Sequence, residues 1–343
     1  MDTIHGLYDK HLEIIDNGYC IGCGACINLC PYKELSKGKA VSLFSCPENS
    51  GKCDLFCPQT KTDQNDLHNK IFNENSNNPL GKVLNIYKSR AGKNSGALLN
   101  NKKTVTALNL FLIDNKLVKK ILLTKTDKNF TPVSFFAETQ NQILNSGNTN
   151  YCSSSPIAEL NKKKENNYSF TGLPCHMKAL AKMECAEKQF KPDYLPDFKI
   201  SLFCSWALDP EKYTDYLNKN FTYCSSFSTK ITSENKPEII FQKDNKNTVR
   251  KDLVEIKPFV QKGCALCTDL TGEYSDISVG DCESDDKYNI IIARTQKSLE
   301  IIKKAANSGY IEIKECPEHN ISLLEKACII KKQNIKASYK EQK

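Results

Sequence analysis

The chain has no stretch approaching the ~18 uncharged apolar residues of a transmembrane helix, which excludes a membrane span of that kind. No apolar segment follows Met1 either. The polar opening Asp2-Thr3-Ile4-His5-Gly6 argues against a secretory signal, so the expected location is the reducing cytoplasm. There is no GxGxxG fingerprint, and a Rossmann dinucleotide site is therefore unsupported. Lysines are scattered and do not form a compact basic patch interleaved with aromatics, so no nucleic-acid partner is expected. Of five histidines only His176 lies near a motif, and no catalytic acid–base residue is nominated. No internal repeat stands out beyond the cysteines.

Cysteine is what the chain has in excess: 17 in 343 residues. An odd count with tight CxxC spacing speaks against a disulfide scaffold. Seven fall between Cys20 and Cys57, in a run that opens Cys20-Ile21-Gly22-Cys23-Gly24-Ala25-Cys26-Ile27-Asn28-Leu29-Cys30-Pro31. Three cysteines at intervals of three, then a fourth four residues on and followed by proline, is the bacterial ferredoxin pattern for cubane iron–sulfur clusters. The formal charge of +8 counts every cysteine as neutral, whereas a four-thiolate 4Fe-4S cluster carries about −2. Global charge is therefore weak evidence about partners.

In ferredoxin topology the first three cysteines of a run hold one cluster and the fourth reaches another. Cys20, Cys23, Cys26 and Cys57 are expected to share one cluster. Cys57-Pro58 repeats the ending of the first run, and proline helps turn the chain away from the cube. Cys30 then belongs with Cys46 and Cys53, a set one cysteine short, with Asn49 where a ligand would stand. A three-iron cluster, a non-cysteine ligand (Glu48, Asn49, Ser50 or Asp54), or a cysteine from elsewhere would complete it. A single cluster, with these three structural, and zinc in a four-cysteine set remain open.

Periodicity divides the chain into a lead-in (1–17), a cysteine module (18–60), an Asn/Asp-rich linker (61–81), a mixed α+β body (82–328) and a loose basic tail (329–343). Strands are expected over 83–87, 117–123, 198–204, 275–279 and 288–293. Helices are expected over 104–113, 138–144, 174–183 and 297–308, the last closed by Gly309. Residues 230–250 read as a polar surface excursion such as a hairpin. Within the body a looser constellation joins Gly172-Leu173-Pro174-Cys175-His176, Cys204, and Cys264-Ala265-Leu266-Cys267. Alone, the last pair could be a redox dithiol or half a zinc site.

Several segments resemble, in order, those of the coenzyme F420-reducing hydrogenase or dehydrogenase beta-subunit family. Lys93-Asn94-Ser95-Gly96-Ala97 resembles its flavin-region Ser-Gly-Gly, and Gly172-Leu-Pro-Cys175-His176 its Gly-Thr-Pro-Cys-Gln. Ile200-Ser-Leu-Phe-Cys204 resembles its strand-borne cysteine, and Cys264-Ala-Leu-Cys267-Thr-Asp269 its Cys-x-x-Cys-x-Asp. Ser275-Asp276-Ile-Ser-Val-Gly-Asp281 resembles its Ala-Asp-Ile-x-Val-Gly-Asp. The resemblance covers roughly 18–60 and 82–315. It implies an α+β fold, with a mixed-sheet FAD/iron–sulfur catalytic domain and a small N-terminal bacterial-ferredoxin-like module. It also implies a third 4Fe-4S cluster on Cys175, Cys204, Cys264 and Cys267, beside FAD. Ala97, His176 and the lack of an arginine before the Cys264 motif depart from the family pattern, and Lys262 is the candidate substitute for that arginine.

The activity implied is F420H2 oxidation. Hydride would pass between coenzyme F420 and FAD, and single electrons through the clusters to ferredoxin, another redox subunit or a larger dehydrogenase complex. The alternatives are a ferredoxin-dependent reductase of another substrate and a flavin-free electron-transfer subunit. The 92–96 loop can offer backbone N–H groups to a pyrophosphate, with Ser95 donating, or be a polar turn. Asp276 and Asp281 can orient ribityl hydroxyls or close a turn. Thr171 can cap the following helix. Lys93 and Lys178 are candidates for phosphate or carboxylate groups, and Arg294 for an anionic cofactor tail. Asn94, Gly96, Gly172, Pro174 and His176 complete the cofactor-binding expectation.

Overall fold

The computed structural model describes residues 4–6, 8–44, 46, 51–75, 77–96, 103–127, 131–146, 151–220, 227–232, 238–243, 247–282 and 285–340. Its centre is an eight-stranded mixed sheet. The strand order is Ile311–Glu315, Asn85–Ala91, Asn289–Ala293, Ile277–Asp281, Phe198–Leu202, Tyr168–Gly172, Lys120–Thr126 and Pro132–Ala137. The four inner strands from Ile277–Asp281 to Lys120–Thr126 run parallel; the rest pair antiparallel. Parallel strands are covered on both faces, and Tyr168–Gly172 is buried along its whole length; the antiparallel Asn289–Ala293 is buried likewise.

One sheet face packs on the helices Thr104–Asp114 and Gln296–Asn307 through Leu108, Phe111, Ile302 and Ala305. The other packs on Pro156–Lys163 and Pro174–Glu184, and here Ile21, Ala25 and Phe56 join Met177, Leu180 and Phe170 in one core. The cysteine module thus shares the hydrophobic core of the body, which supplies the apolar burial that a small cysteine-rich module lacks.

The expected elements of the body lie within a few residues of their observed places. Helix Gln296–Asn307 ends on Ser308, and Gly309 follows at φ +70, the left-handed conformation expected of it. The described residues of 230–250 lie in a three-stranded antiparallel sheet, Phe227–Thr232, Glu238–Lys243 and Asn247–Asp252, whose consecutive strands pair as hairpins. The Asn/Asp-rich segment 61–81 contains helix Gln64–Phe72. Its polar residues are the punctuation of that helix: Asp63 accepts from the Asn65 and Asp66 N–H groups, and Asn73 closes the other end at φ +56. Residues 329–340 of the tail continue helix Glu318–Lys340, whose Leu324 and Cys328 pack against Leu80, Ile290 and Ile292. No helix among the described residues is long and apolar enough to cross a membrane.

Candidate iron–sulfur site

Strands Tyr168–Gly172 and Phe198–Leu202 are parallel neighbours, so the loops after them emerge side by side at one sheet edge, where open α/β sheets place their ligands. Cys175 sits in the first turn of the helix that follows the first strand, and Cys204 two residues beyond the second. The single-turn helix Lys262–Leu266 brings Cys264 and then Cys267 to the same place. All four cysteines line one cavity, with Ile21, Ser153, Trp206, Gln261 and Lys331. The Ala207 N–H points at the Cys264 sulfur from 3.3 Å.

A second cavity is lined by Cys20, Cys23, Cys26 and Cys57, with His11, Ala40 and Gln59. Gly22 and Gly24, at φ +71 and +83, let the chain curl round it. The Ala40 N–H faces the Cys20 sulfur at 3.4 Å. Ile21 walls both cavities. After burial, the charge of Cys23 is the largest influence on the Cys175 thiol, ahead of Cys204, Cys267 and Cys264.

Among the described residues no three His, Cys, Asp or Glu side chains close on a single-ion position. The thiols form the walls of cavities instead, with no carboxylate among the lining residues. Burial pushes Cys57 and Cys264 up to about 11 and Cys204 to about 12, and raises Cys23, Cys26 and Cys175 as well. Such thiols stay protonated until a metal cation supplies the compensating charge. Four sulfur donors around each apolar cavity fit a four-thiolate cluster in donor chemistry and number.

The outer set is less complete. Cys30 and Cys46 are exposed and Cys53 half-buried, and the negative field of Cys30 reaches Cys53. Glu48, Asn49 and Ser50 lie outside the described residues. Asp54 is engaged: its carboxylate accepts the His11 N–H at 2.6 Å and the Gly51 N–H at 2.8 Å.

Most residues expected at a flavin are bonded within the protein. Ser95 Oγ donates to the Gly92 carbonyl at 2.6 Å, and Asn94 Nδ2 to the Ser308 carbonyl at 2.7 Å. Thr171 does not cap a helix; it is a strand residue facing Asn109. Asp276 accepts the Lys199 N–H at 2.8 Å and the Thr295 hydroxyl at 3.2 Å, which tie its strand to the neighbouring strand and to the start of helix Gln296–Asn307. Asp281 ends its strand at the surface. Arg294 is wholly buried. Its guanidinium donates to the Leu80 and Lys82 carbonyls at 2.7 Å each, and to Ser278 and Thr271 at 2.9 Å. These bonds direct it into the fold and away from an anionic tail. Lys178 is buried between the two sets, near Cys267 and Cys57, and burial lowers it to about 7. Lys93 is exposed, and open space lies beside Gly96, at φ +73. Ala97 lies outside the described residues.

His176 has a defined structural role. Nδ1 accepts the Leu173 N–H at 3.0 Å, and Nε2 lies 3.1 Å from the Ser154 carbonyl, which assigns the neutral Nε2–H tautomer. The ring caps the Pro174–Glu184 helix and anchors the Cys175 turn; a side chain at Gly172 would collide with it. Lys262, expected to replace an arginine, lies over the Tyr19 ring at 4.3 Å and donates to the Asn17 carbonyl.

Several residues escaped the sequence reading. Lys182 Nζ donates to the Cys57 carbonyl and the Thr60 hydroxyl, both at 2.7 Å, clamping the module to the helix that begins at Cys175. Gln59 Nε2 donates to the Gly263 carbonyl at 2.7 Å, one residue before Cys264. Buried His11 reaches the N-terminal cavity, and Lys331 the inner one. The i, i+4 spacing of Lys178 and Lys182 after Cys175 was the only local signal; nothing local marks the others.

The chain is similar in sequence and fold to known proteins. The family model for the C terminus of the beta subunit in coenzyme F420 hydrogenase/dehydrogenase matches residues 165–319, and a 4Fe-4S binding domain matches residues 13–33. An uncharacterized protein of Methanocaldococcus jannaschii is 26% identical over 94% of this chain and 96% of its own length. The coenzyme F420 hydrogenase subunit beta of Methanosarcina barkeri is 27% identical over 62% of this chain and 75% of its own. In fold, the chain is similar to one in the F420-reducing [NiFe] hydrogenase complex of Methanosarcina barkeri. The TM-score is 0.68 at 22% identity, covering 77% of this chain and 93% of that one.

Proposed function

We propose, from the chain's match in sequence and fold to the coenzyme F420 hydrogenase/dehydrogenase beta-subunit family, that it couples oxidation of F420H2, or the reverse, to one-electron transfer. The family assignment supports an oxidoreductase. The observation that carries the electron-transfer reading is the pair of four-cysteine cavities with Ile21 as their common wall. When bound, a flavin connects two-electron hydride chemistry with one-electron clusters. Cys175, Cys204, Cys264 and Cys267 would hold the inner cluster, and Cys20, Cys23, Cys26 and Cys57 the next. Cys30, Cys46 and Cys53 are nominated for an outer cluster, nearest to an external acceptor such as ferredoxin or a partner subunit.

The chain's own contribution is placement and exclusion of water. Ala40 and Ala207 direct N–H groups at ligand sulfurs, His176 sets the Cys175 turn, and Lys182 and Gln59 hold the two cysteine sets in register. The inward bonding of Ser95, Thr171, Asp276 and Arg294 favours a second reading, a flavin-free electron-transfer subunit.

Anaerobically purified protein should contain iron without zinc, show a flavin spectrum, and bleach F420H2 in the presence of an electron acceptor. Cys264→Ser should stop electrons passing from flavin to the N-terminal module while sparing flavin content. Iron-containing protein without flavin would select the second reading. Zinc in place of iron would refute both.

A further inference from the structure

We infer that the Lys331 ammonium, carried to the inner cavity by the C-terminal helix, sets the reduction potential of the cluster held there. The inference rests on the assignment of that cluster to Cys175, Cys204, Cys264 and Cys267. Lys331 is the cationic side chain among the residues lining the inner cavity. Its Nζ donates to the Cys204 carbonyl at 2.6 Å and to the Asp269 carbonyl at 2.7 Å, so it is held by the backbone of one ligand residue and of a residue two past another. It lies beyond residue 319, where the match to the family model ends.

The next residue fixes the helix. Lys332 bridges Glu273 at 2.7 Å and donates to the Pro79 carbonyl at 2.9 Å. Consecutive lysines thus divide the work: Lys332 latches the helix to the body, and Lys331 points to the thiols. The Asp269 carboxylate accepts the Gly272 and Glu273 N–H groups at 2.7 and 2.9 Å, while Lys331 is held by the Asp269 carbonyl.

Reducing a four-thiolate cluster adds one electron and makes the site one unit more negative. A fixed cation therefore stabilises the reduced form more than the oxidised one. At an effective dielectric of ~20 and a separation on the order of 10 Å, one unit charge changes the reduced-to-oxidised ratio roughly tenfold. For a one-electron couple that is about 59 mV.

The test is an EPR-monitored redox titration of the anaerobic holoprotein, with the inner signal defined as the one missing in Cys264→Ser. Lys331→Met should lower its midpoint by about the tenfold equivalent. Lys331→Arg should stay near wild type. Lys332→Met, which loosens the latch and keeps the charge, should leave the midpoint in place. If Lys331→Met does not assemble, Lys331→Gln, which keeps a donor for the two carbonyls, provides the same comparison. An unchanged midpoint without the charge, or an equal shift in Lys332→Met, would overturn the inference. A wild-type protein with no Cys264-dependent signal would refute the cluster assignment beneath it.

Discussion

Replacing His176 with Gln keeps one donor and one acceptor near the Cys175 turn and removes the titrating ring. In the folded protein, burial lowers the ring from 6.5 to about 4, only partly opposed by the Ser154 carbonyl. Below about pH 6.5 the unfolded chain takes up a proton on this ring and the folded chain does not. The unfolded state then binds more protons, and stability falls with falling pH until the folded ring titrates near pH 4. A shift of about 2.5 units at about 1.36 kcal/mol each corresponds to roughly 3.4 kcal/mol once complete, and about 2 kcal/mol by pH 5. His11, also lowered to about 4, acts in the same direction but is present in both proteins and cancels in the comparison. Urea unfolding of anaerobic holoprotein at pH 7.5 and pH 5 reads the effect. Wild type should lose about 2 kcal/mol more than His176→Gln between those conditions. Equal losses would show that the ring is not held neutral, and the hydrogen-bond assignment at the Cys175 turn would fail with it.

Arg294→Met should destabilise the protein by at least ~3 kcal/mol, because two buried carbonyls and two hydroxyls lose a charged donor. Urea unfolding with flavin quantification checks this; lost flavin at unchanged stability would return Arg294 to a cofactor role. In Gly22→Ala the new methyl would collide with the Gly38 carbonyl at a residue held at φ +71, so the N-terminal cysteine loop should open. Iron analysis should show about one cluster fewer with the inner EPR signal kept, and full iron content would contradict the placement. Lys182→Met should loosen the module from the body, detected as faster proteolysis within 18–60. Wild-type resistance would mean that the clamp is dispensable.

The ferredoxin run was legible because cluster chemistry needs its thiols at short, fixed sequence intervals, and Cys20, Cys23, Cys26 and Cys57 do meet at one cavity. The mixed sheet was legible in outline, since apolar strands and amphipathic helices carry their periods locally. Polar side chains were harder. Arg294, Asp276 and Ser95 look in sequence like ligands for a cofactor, yet each is bonded inside the fold. Composition records that a residue can donate or accept, but not which partner is nearer. The Asn/Asp segment and the basic tail were misjudged for a related reason: helices Gln64–Phe72 and Glu318–Lys340 are held by caps and by packing against distant residues.

By itself the sequence pointed to iron–sulfur chemistry at the N-terminal cysteine run, because spacing within a short loop is a local property. The resemblance named Cys175, Cys204, Cys264 and Cys267 as one set, but tertiary structure alone decided that Ile21 lines both their cavity and the N-terminal one, and that Lys331 reaches the inner cavity from a helix more than sixty residues downstream of Cys267. Those juxtapositions depend on parallel strands ending at one edge and on a shared hydrophobic core. Neither the edge nor the core exists until the chain has folded.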